Sequence, residues 1–326
     1  MSVQEYKRQA FETIMDMLWR QWSSLGIPGQ IAAGKNSVEV LDPEALLLFS
    51  AGFARYDQRL YDLILDWMDV HSCQINIQRL KALHAKADFK DTQSLGYISA
   101  VASETEPSRW KKPAVDYSPS CVIPAVALFR NQDDEPESFI PKSDPVALRY
   151  GFERNVRQKS GKIPSCIPES TASLLFRMRS IMGISARAET ILIMLTNQCC
   201  KVKDIVDQSG YTWKSIQDVV HELVAGHFVS TFNETKRGRQ YYLSQPEKIR
   251  QLFGFRKIAF PNWLEVYDSI ALIWKTISNP NLAKVSDITF QNELKIIFDG
   301  RIQKTLLLSA NPDIAKLSQL IHVCPK

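Results

Sequence analysis

Glycine is scarce in this sequence: 13 residues in 326, rarely clustered. That leaves little material for a phosphate-cradling loop, and neither G-x-x-x-x-G-K-[ST] nor G-x-G-x-x-G occurs. H-E-x-x-H, G-x-S-x-G and a C-x-x-C pair are missing as well. The expectation is a protein that is not an enzyme and uses no cofactor. No run of 18 apolar residues exists, so no membrane helix is expected. The N-terminus MSVQEYKRQAF is charged where a signal peptide would be apolar, which points to the cytoplasm. The six cysteines (Cys73, Cys121, Cys166, Cys199, Cys200 and Cys324) form no framework, so reduced thiols are expected.

What is present is ordinary for a globular chain with room for two or three domains: 45% apolar and 23% charged residues. The net charge of +5 is unevenly spread. Residues 1–106 carry 10 Lys/Arg and 14 Asp/Glu, a balance of −4, and the remaining 30 and 21 give the rest of the chain +9. A polyanion would meet the second half.

Residues 4–24 read as an amphipathic helix, with Phe11, Ile14, Met15, Leu18 and Trp22 on one stripe. Asp42 and Pro43 suit the start of a second helix, and Asp57 that of a third. The third directs Leu60, Leu63, Ile64, Trp67 and Met68 inward and Asp62, Asp66 and Asp69 outward, as a solvated face. A fourth helix is expected from Asn76 to Ala87. Residues 1–106 are thus a helical N-terminal domain, in which 40–90 form a helical module or a degenerate winged helix used for protein contacts.

Residues 107–168 hold nine of the 16 prolines and form an irregular connecting region, with Val122 to Phe129 as its strand-like run. Its end, Arg149 to Lys162, has five Lys/Arg against one Glu. It reads as a solvated linker or a flexible nucleic-acid contact. Ser170 or Thr171 then caps a helix through Met178. Beyond residue 246 a helical C-terminal region (247–326) is expected, with Asn262 capping a helix through Trp274 and Asn311-Pro312 opening a last one.

Residues 187–245 organise the whole. An apolar helix (Thr190 to Leu195) precedes a short one with Val202, Ile205 and Val206, and Gly210 supplies the turn. Thr212 caps a third helix whose inward positions are Ile216, Val219, Val220 and Leu223. Gly226 stands where a left-handed C-cap is expected. Phe228 to Phe232 and Gln240 to Leu243 then flank a polar tip, Asn233 to Arg239, as a hairpin. The S-G-Y-T turn, the I-x-x-x-V-x-x-L helix, the G-H-F-V exit and the K-R-G-R tip resemble the winged helix-turn-helix domain of bacterial transcription regulators of the MarR/ArsR kind. The fold expected is mainly α with a small β-wing, the winged helix occupying 169–246.

That resemblance implies a reading surface for duplex DNA. Lys214 would reach guanine or phosphate, Gln217 would pair with adenine, and Trp213 and His221 would lie at the rim. The Thr212 and Ser215 hydroxyls suit phosphate, and Lys236, Arg237 and Arg239 suit the minor groove. It also implies a homodimer on double-stranded DNA. Cys199 and Cys200, with only His221 and His227 nearby, do not reproduce the ligand spacing of metal-sensing members, so no metal is expected. Asp218, Glu222 and Trp213 on the same helix, with the acidic N-terminal face, support the alternative of a protein-interaction scaffold whose partner docks on the N-terminal domain.

Overall fold

Many of the helices begin where a short polar side chain takes a free amide of the first turn. The computed structural model describes residues 3–29, 38–121, 124–136, 142–234, 238–279, 287–297 and 313–317. The first block holds α1 (Val3–Ser24), α2 (Pro43–Phe53), α3 (Gln58–His71), α4 (Ile77–Lys86), α5 (Thr92–Thr105) and α6 (Pro107–Asp116). Asp42, Asp57, Asn76 and Asp91 accept the first-turn amides of α2 to α5. Within residues 40–90 no strand occurs among the described residues, so this part is purely helical.

Pro107 opens α6 rather than an irregular stretch, because proline fits the first helical position, where no amide is needed. Irregular chain begins after it, interrupted by β1 (Val126–Ala127), α7 (Pro145–Leu148) and β2 (Phe152–Glu153). β1 and β2 pair in parallel. Val122, the start of the expected strand, lies outside the described residues.

The third block is α8 (Leu174–Met182), α9 (Ala186–Thr196), α10 (Val202–Ser209), α11 (Trp213–Ala225), β3 (Val229–Glu234), β4 (Gly238–Leu243) and α12 (Pro246–Phe253). Ser173 occupies the position before α8, and Ser170 Oγ accepts its amide at 3.2 Å. α13 (Trp263–Ile277), capped by Asn262, and α14 (Asp287–Ile297) follow. Residues 313–317 are helical, and the expected last helix beyond them lies outside the described residues. The chain is therefore mainly helical with two two-stranded sheets among the described residues, and no helix there is long and apolar enough to cross a membrane.

Among the described residues the buried apolar side chains from Tyr6 to Leu317 form one cluster. α13 packs against α1 and α2. Tyr267 stacks on Phe49 at 4.6 Å and donates to Gln21 Oε1, while Trp263 Nε1 donates to Val40 O at 2.7 Å. Backbone bonds Val40 N to Ala259 O (2.9 Å) and Ala259 N to Val38 O (2.8 Å) tie the two regions together.

The acidic face of α3 is not solvated, contrary to its spacing. Residues 154–160 lie across it as a strap. Arg154 Nη1 sits 2.6 Å from Asp62, Arg157 reaches Asp66 (3.2 Å) and Asp69 (2.7 Å), and Lys159 reaches Asp69 (3.0 Å). Ser160 N donates to Asp66 at 2.8 Å. Tyr150 and Phe152, expected on a linker, are buried. Three of the five cations read as linker or nucleic-acid contacts, Arg154, Arg157 and Lys159, are thus held by carboxylates some 90 residues earlier. Arg157→Ala should lower stability by about 2 kcal/mol. That is below the roughly 3–5 kcal/mol of a fully orphaned buried charge, because Lys159 and Ser160 still reach the two aspartates. An unchanged urea midpoint would mean the strap is not held by these pairs.

Candidate nucleic-acid interface

The surface built around α11 starts from α9, nearly all of whose residues are buried. After it, Cys200 exchanges both backbone bonds with Tyr241 of β4, at 2.9 and 2.8 Å, so one residue adds a third rung to the hairpin. Burial pushes the Cys200 thiol up to about 12, so it is a packed neutral group, whereas Cys199 is exposed. Lys201 N donates to Asp204 at 2.8 Å and starts α10, and Gly210 ends it at φ +77°. Thr212 Oγ1 accepts Ser215 N at 3.3 Å and starts α11.

Ile216, Val220 and Leu223 of α11 are buried and Val219 is half-buried. The other face presents Trp213 (53% exposed), Lys214, Gln217, Asp218, His221 and Glu222. Among the described residues Lys214, Gln217 and His221 have no side-chain partner, whereas Glu222 pairs with Arg187 at 2.5 Å. Thr212 Oγ1 and Ser215 Oγ lie 2.9 Å apart at the exposed start of the helix. The structure therefore gathers Thr212, Trp213, Lys214, Ser215, Gln217 and His221 on the outer face and start of one helix.

The helix ends differently from expectation. Gly226 has φ −84°, and the left-handed residue is His227, at φ +60°. Phe228 N reaches back to Leu223 O (2.9 Å) and His227 N to Val224 O (3.0 Å), the paired bonds of a Schellman cap, which place the left-handed residue one position later.

β3 and β4 pair from Val229↔Leu243 to Glu234↔Gly238. Val229, Tyr241 and Leu243 turn to the core, while Phe232 and Tyr242 are 56% and 39% exposed on the outer face. Arg239 is exposed at the distal end, and Lys236 and Arg237 lie outside the described residues.

Sequence reasoning missed what holds α11 in place. Arg79 of α4 and Arg179 of α8 meet Asp42, Glu44 and Glu189, all of them buried. Arg79 Nη1 is 2.6 Å from Asp42 Oδ1 and from Glu44 Oε2, and its Nη2 also bonds Asp42. Arg179 bonds Glu44 through Nη1 and Nη2 at 2.8 Å and Glu189 through Nη2 at 2.5 Å. Burial acts to raise the Glu44 carboxyl, but Arg179 and Arg79 outweigh it and hold the group down to about 2. The cluster also holds the turn before α11. Arg79 Nε donates to Ser209 O at 2.7 Å, and Asn76 Nδ2 donates to Tyr211 Oη at 2.9 Å. The sequence carried one signal for it: Arg79, Arg179 and Glu189 each stand on the apolar stripe of a helix, where an ion needs a buried partner.

No family model matches this chain, and no curated protein or solved structure matches it either.

Proposed function

We propose that this protein is a winged-helix regulator that reads duplex DNA with α11 and steadies itself on the backbone with the β3–β4 hairpin. The observation that carries the reading is the outer face of α11, where Lys214, Gln217 and His221 are exposed without side-chain partners among the described residues. Support also comes from the order of elements: helix, one-rung strand at Cys200, helix, helix, hairpin. In a winged helix the N-terminal part of the third helix enters the major groove. Lys214 there faces guanine or phosphate and Gln217 pairs with adenine N6 and N7. Thr212 and Ser215 take phosphate, and Arg239, with Lys236 and Arg237 of the tip, lies along the minor groove. A homodimer belongs to the same proposal, since two copies would set two reading helices on half-sites about 34–36 Å apart. The role is that of a cytoplasmic binding protein without a catalytic step.

Fluorescence anisotropy tests it, with duplex from upstream of the gene and a shuffled duplex titrated at several salt concentrations. Lys214→Ala and Gln217→Ala are each expected to cost about 1–3 kcal/mol on the preferred duplex and to relax the preference. Arg237→Ala should weaken both duplexes evenly and lower the log–log salt slope by about 1. If all three variants bind as the parent does, α11 is not the reading helix.

A second reading, protein docking, is favoured by the aromatic side chains on this unit. Phe228 is 59% exposed, and it joins Trp213, Phe232 and Tyr242. The acidic N-terminal face adds less to that reading than its sequence suggests, because the strap covers Asp66 and Asp69. No binding to either duplex at low salt would move the assignment to docking.

A further inference from the structure

Between α4 and α6 lies a cleft of about 440 Å³, a volume that suits a small molecule. Lys81 of α4 and Arg109 and Lys112 of α6 line it, and Ile77, Pro113 and Ile184 form an apolar wall beside them. The cations are incompletely balanced. Lys81 pairs with Asp116. Arg109 donates to the Cys73 and Ile75 carbonyls, the latter at 2.6 Å, which fixes it in place without neutralising it. Lys112 makes no hydrogen bond or close ion pair among the described residues, although it feels the charge of Asp116, the carboxylate that Lys81 already pairs with. Three cations against one paired carboxylate leave an excess positive charge in a concave site whose low-dielectric walls strengthen its field.

We infer that this cleft binds a small organic oxyanion, a carboxylate or phosphate monoester with a short apolar body, and that its occupancy is felt at the 209–212 turn. The polar head meets Lys112 and Arg109, and the body lies against Ile77, Pro113 and Ile184. The link to the turn is Asn76, which lines the same cleft. Its Nδ2 holds Tyr211 Oη, and its Oδ1 accepts the amide of Arg79, whose Nε holds Ser209 O. A ligand that shifts the first turn of α4 therefore shifts both anchors of the chain entering α11. The regulatory meaning of that link rests on the DNA-reading function proposed above, whereas the binding site does not.

The test uses the intact chain and three probes, phenyl phosphate, benzoate and inorganic phosphate, titrated calorimetrically. Hydrogen exchange at the 209–212 amides is followed with and without saturating phenyl phosphate. Phenyl phosphate is expected to saturate one site and to bind more tightly than inorganic phosphate. Lys112→Glu should weaken it at least about tenfold with an unchanged urea midpoint. Exchange at 209–212 should slow on binding, and Tyr211→Phe should keep the binding and lose the slowing. No saturable heat with any probe, or undiminished binding by Lys112→Glu, overturns the site. Binding without a change at 209–212 overturns the link. If Lys112→Ala weakens duplex binding and lowers its salt slope in probe-free buffer, the cations serve a nucleic-acid backbone and the small-molecule assignment falls. If the probe binds and slows exchange as expected while DNA binding fails, only the DNA reading is lost.

Discussion

Replacing Glu44 with glutamine is expected to lower the unfolding free energy by about 3–5 kcal/mol, the cost of removing one partner from a buried ion pair. Glu44 is the carboxylate shared by Arg79 and Arg179, and no water reaches any of the three side chains. The substitution keeps the shape and leaves two guanidiniums with one fewer counter-charge. Because α2, α4, α8 and α9 all contribute to the cluster, the loss should appear as one shift of the whole urea transition. A pH series separates charge from shape. The folded Glu44 carboxyl lies at about 2 against an ordinary value of 4.5. A depressed folded value means that the contribution is complete above about 4.5 and is lost as pH falls through about 2. The Glu44→Gln protein should lack that part of the acid dependence. Parallel pH profiles for parent and variant across this window would show that Glu44 does not carry the charge assigned to it.

Gly210→Ala should destabilise by roughly 2–3 kcal/mol for two separable reasons. At φ +77° a side chain costs about 1–2 kcal/mol. A Cβ there would also lie 2.5 Å from Leu83 Cδ2 of α4, forcing a buried side chain to move. Leu83→Ala alone is expected to cost about 2–5 kcal/mol by leaving a cavity. In the double variant the methyl occupies space that the leucine vacated. The two losses should then fall short of additive by about 0.5–3 kcal/mol, the range seen for residues in contact. Strict additivity would mean that the turn is not pressed against α4. Under the DNA-reading proposal, Gly210→Ala should also weaken duplex binding, because the displaced turn leads straight into Thr212 and α11.

What the sequence disclosed was local. Asp42, Asp57, Thr212 and Asn262 each cap the helix that follows, because the interaction spans three residues and needs no tertiary partner. The stripe of Ile216, Val220 and Leu223 was equally legible, and with it the outward face of the helix. The His227 cap was not, because glycine at 226 and histidine at 227 are both tolerated near a helix end and only the backbone bonds decide. Asp62, Asp66 and Asp69 at helical spacing resemble any solvated face until a strap arrives from far along the chain. The pairing within the Arg79–Arg179 cluster was hidden for the same reason: charges on apolar stripes hinted at buried partners, but the members come from four helices and no spacing rule joins them. Lys236 and Arg237, chosen for the hairpin tip, lie outside the described residues.

The tie between Val40 and Ala259 has a consequence for how the protein is made. On a ribosome, the residue that α2's approach segment bonds to appears 219 positions later. At the usual elongation rates of about 5–20 residues per second, that is a wait of roughly 10–45 seconds. Throughout it, the faces of α1 and α2 that α13 will cover stand open, with Phe49 lacking its Tyr267 neighbour. Nascent chains stalled before residue 263 should therefore engage holdase chaperones and resist release as folded intermediates, even when the α9–β4 unit has been fully synthesised.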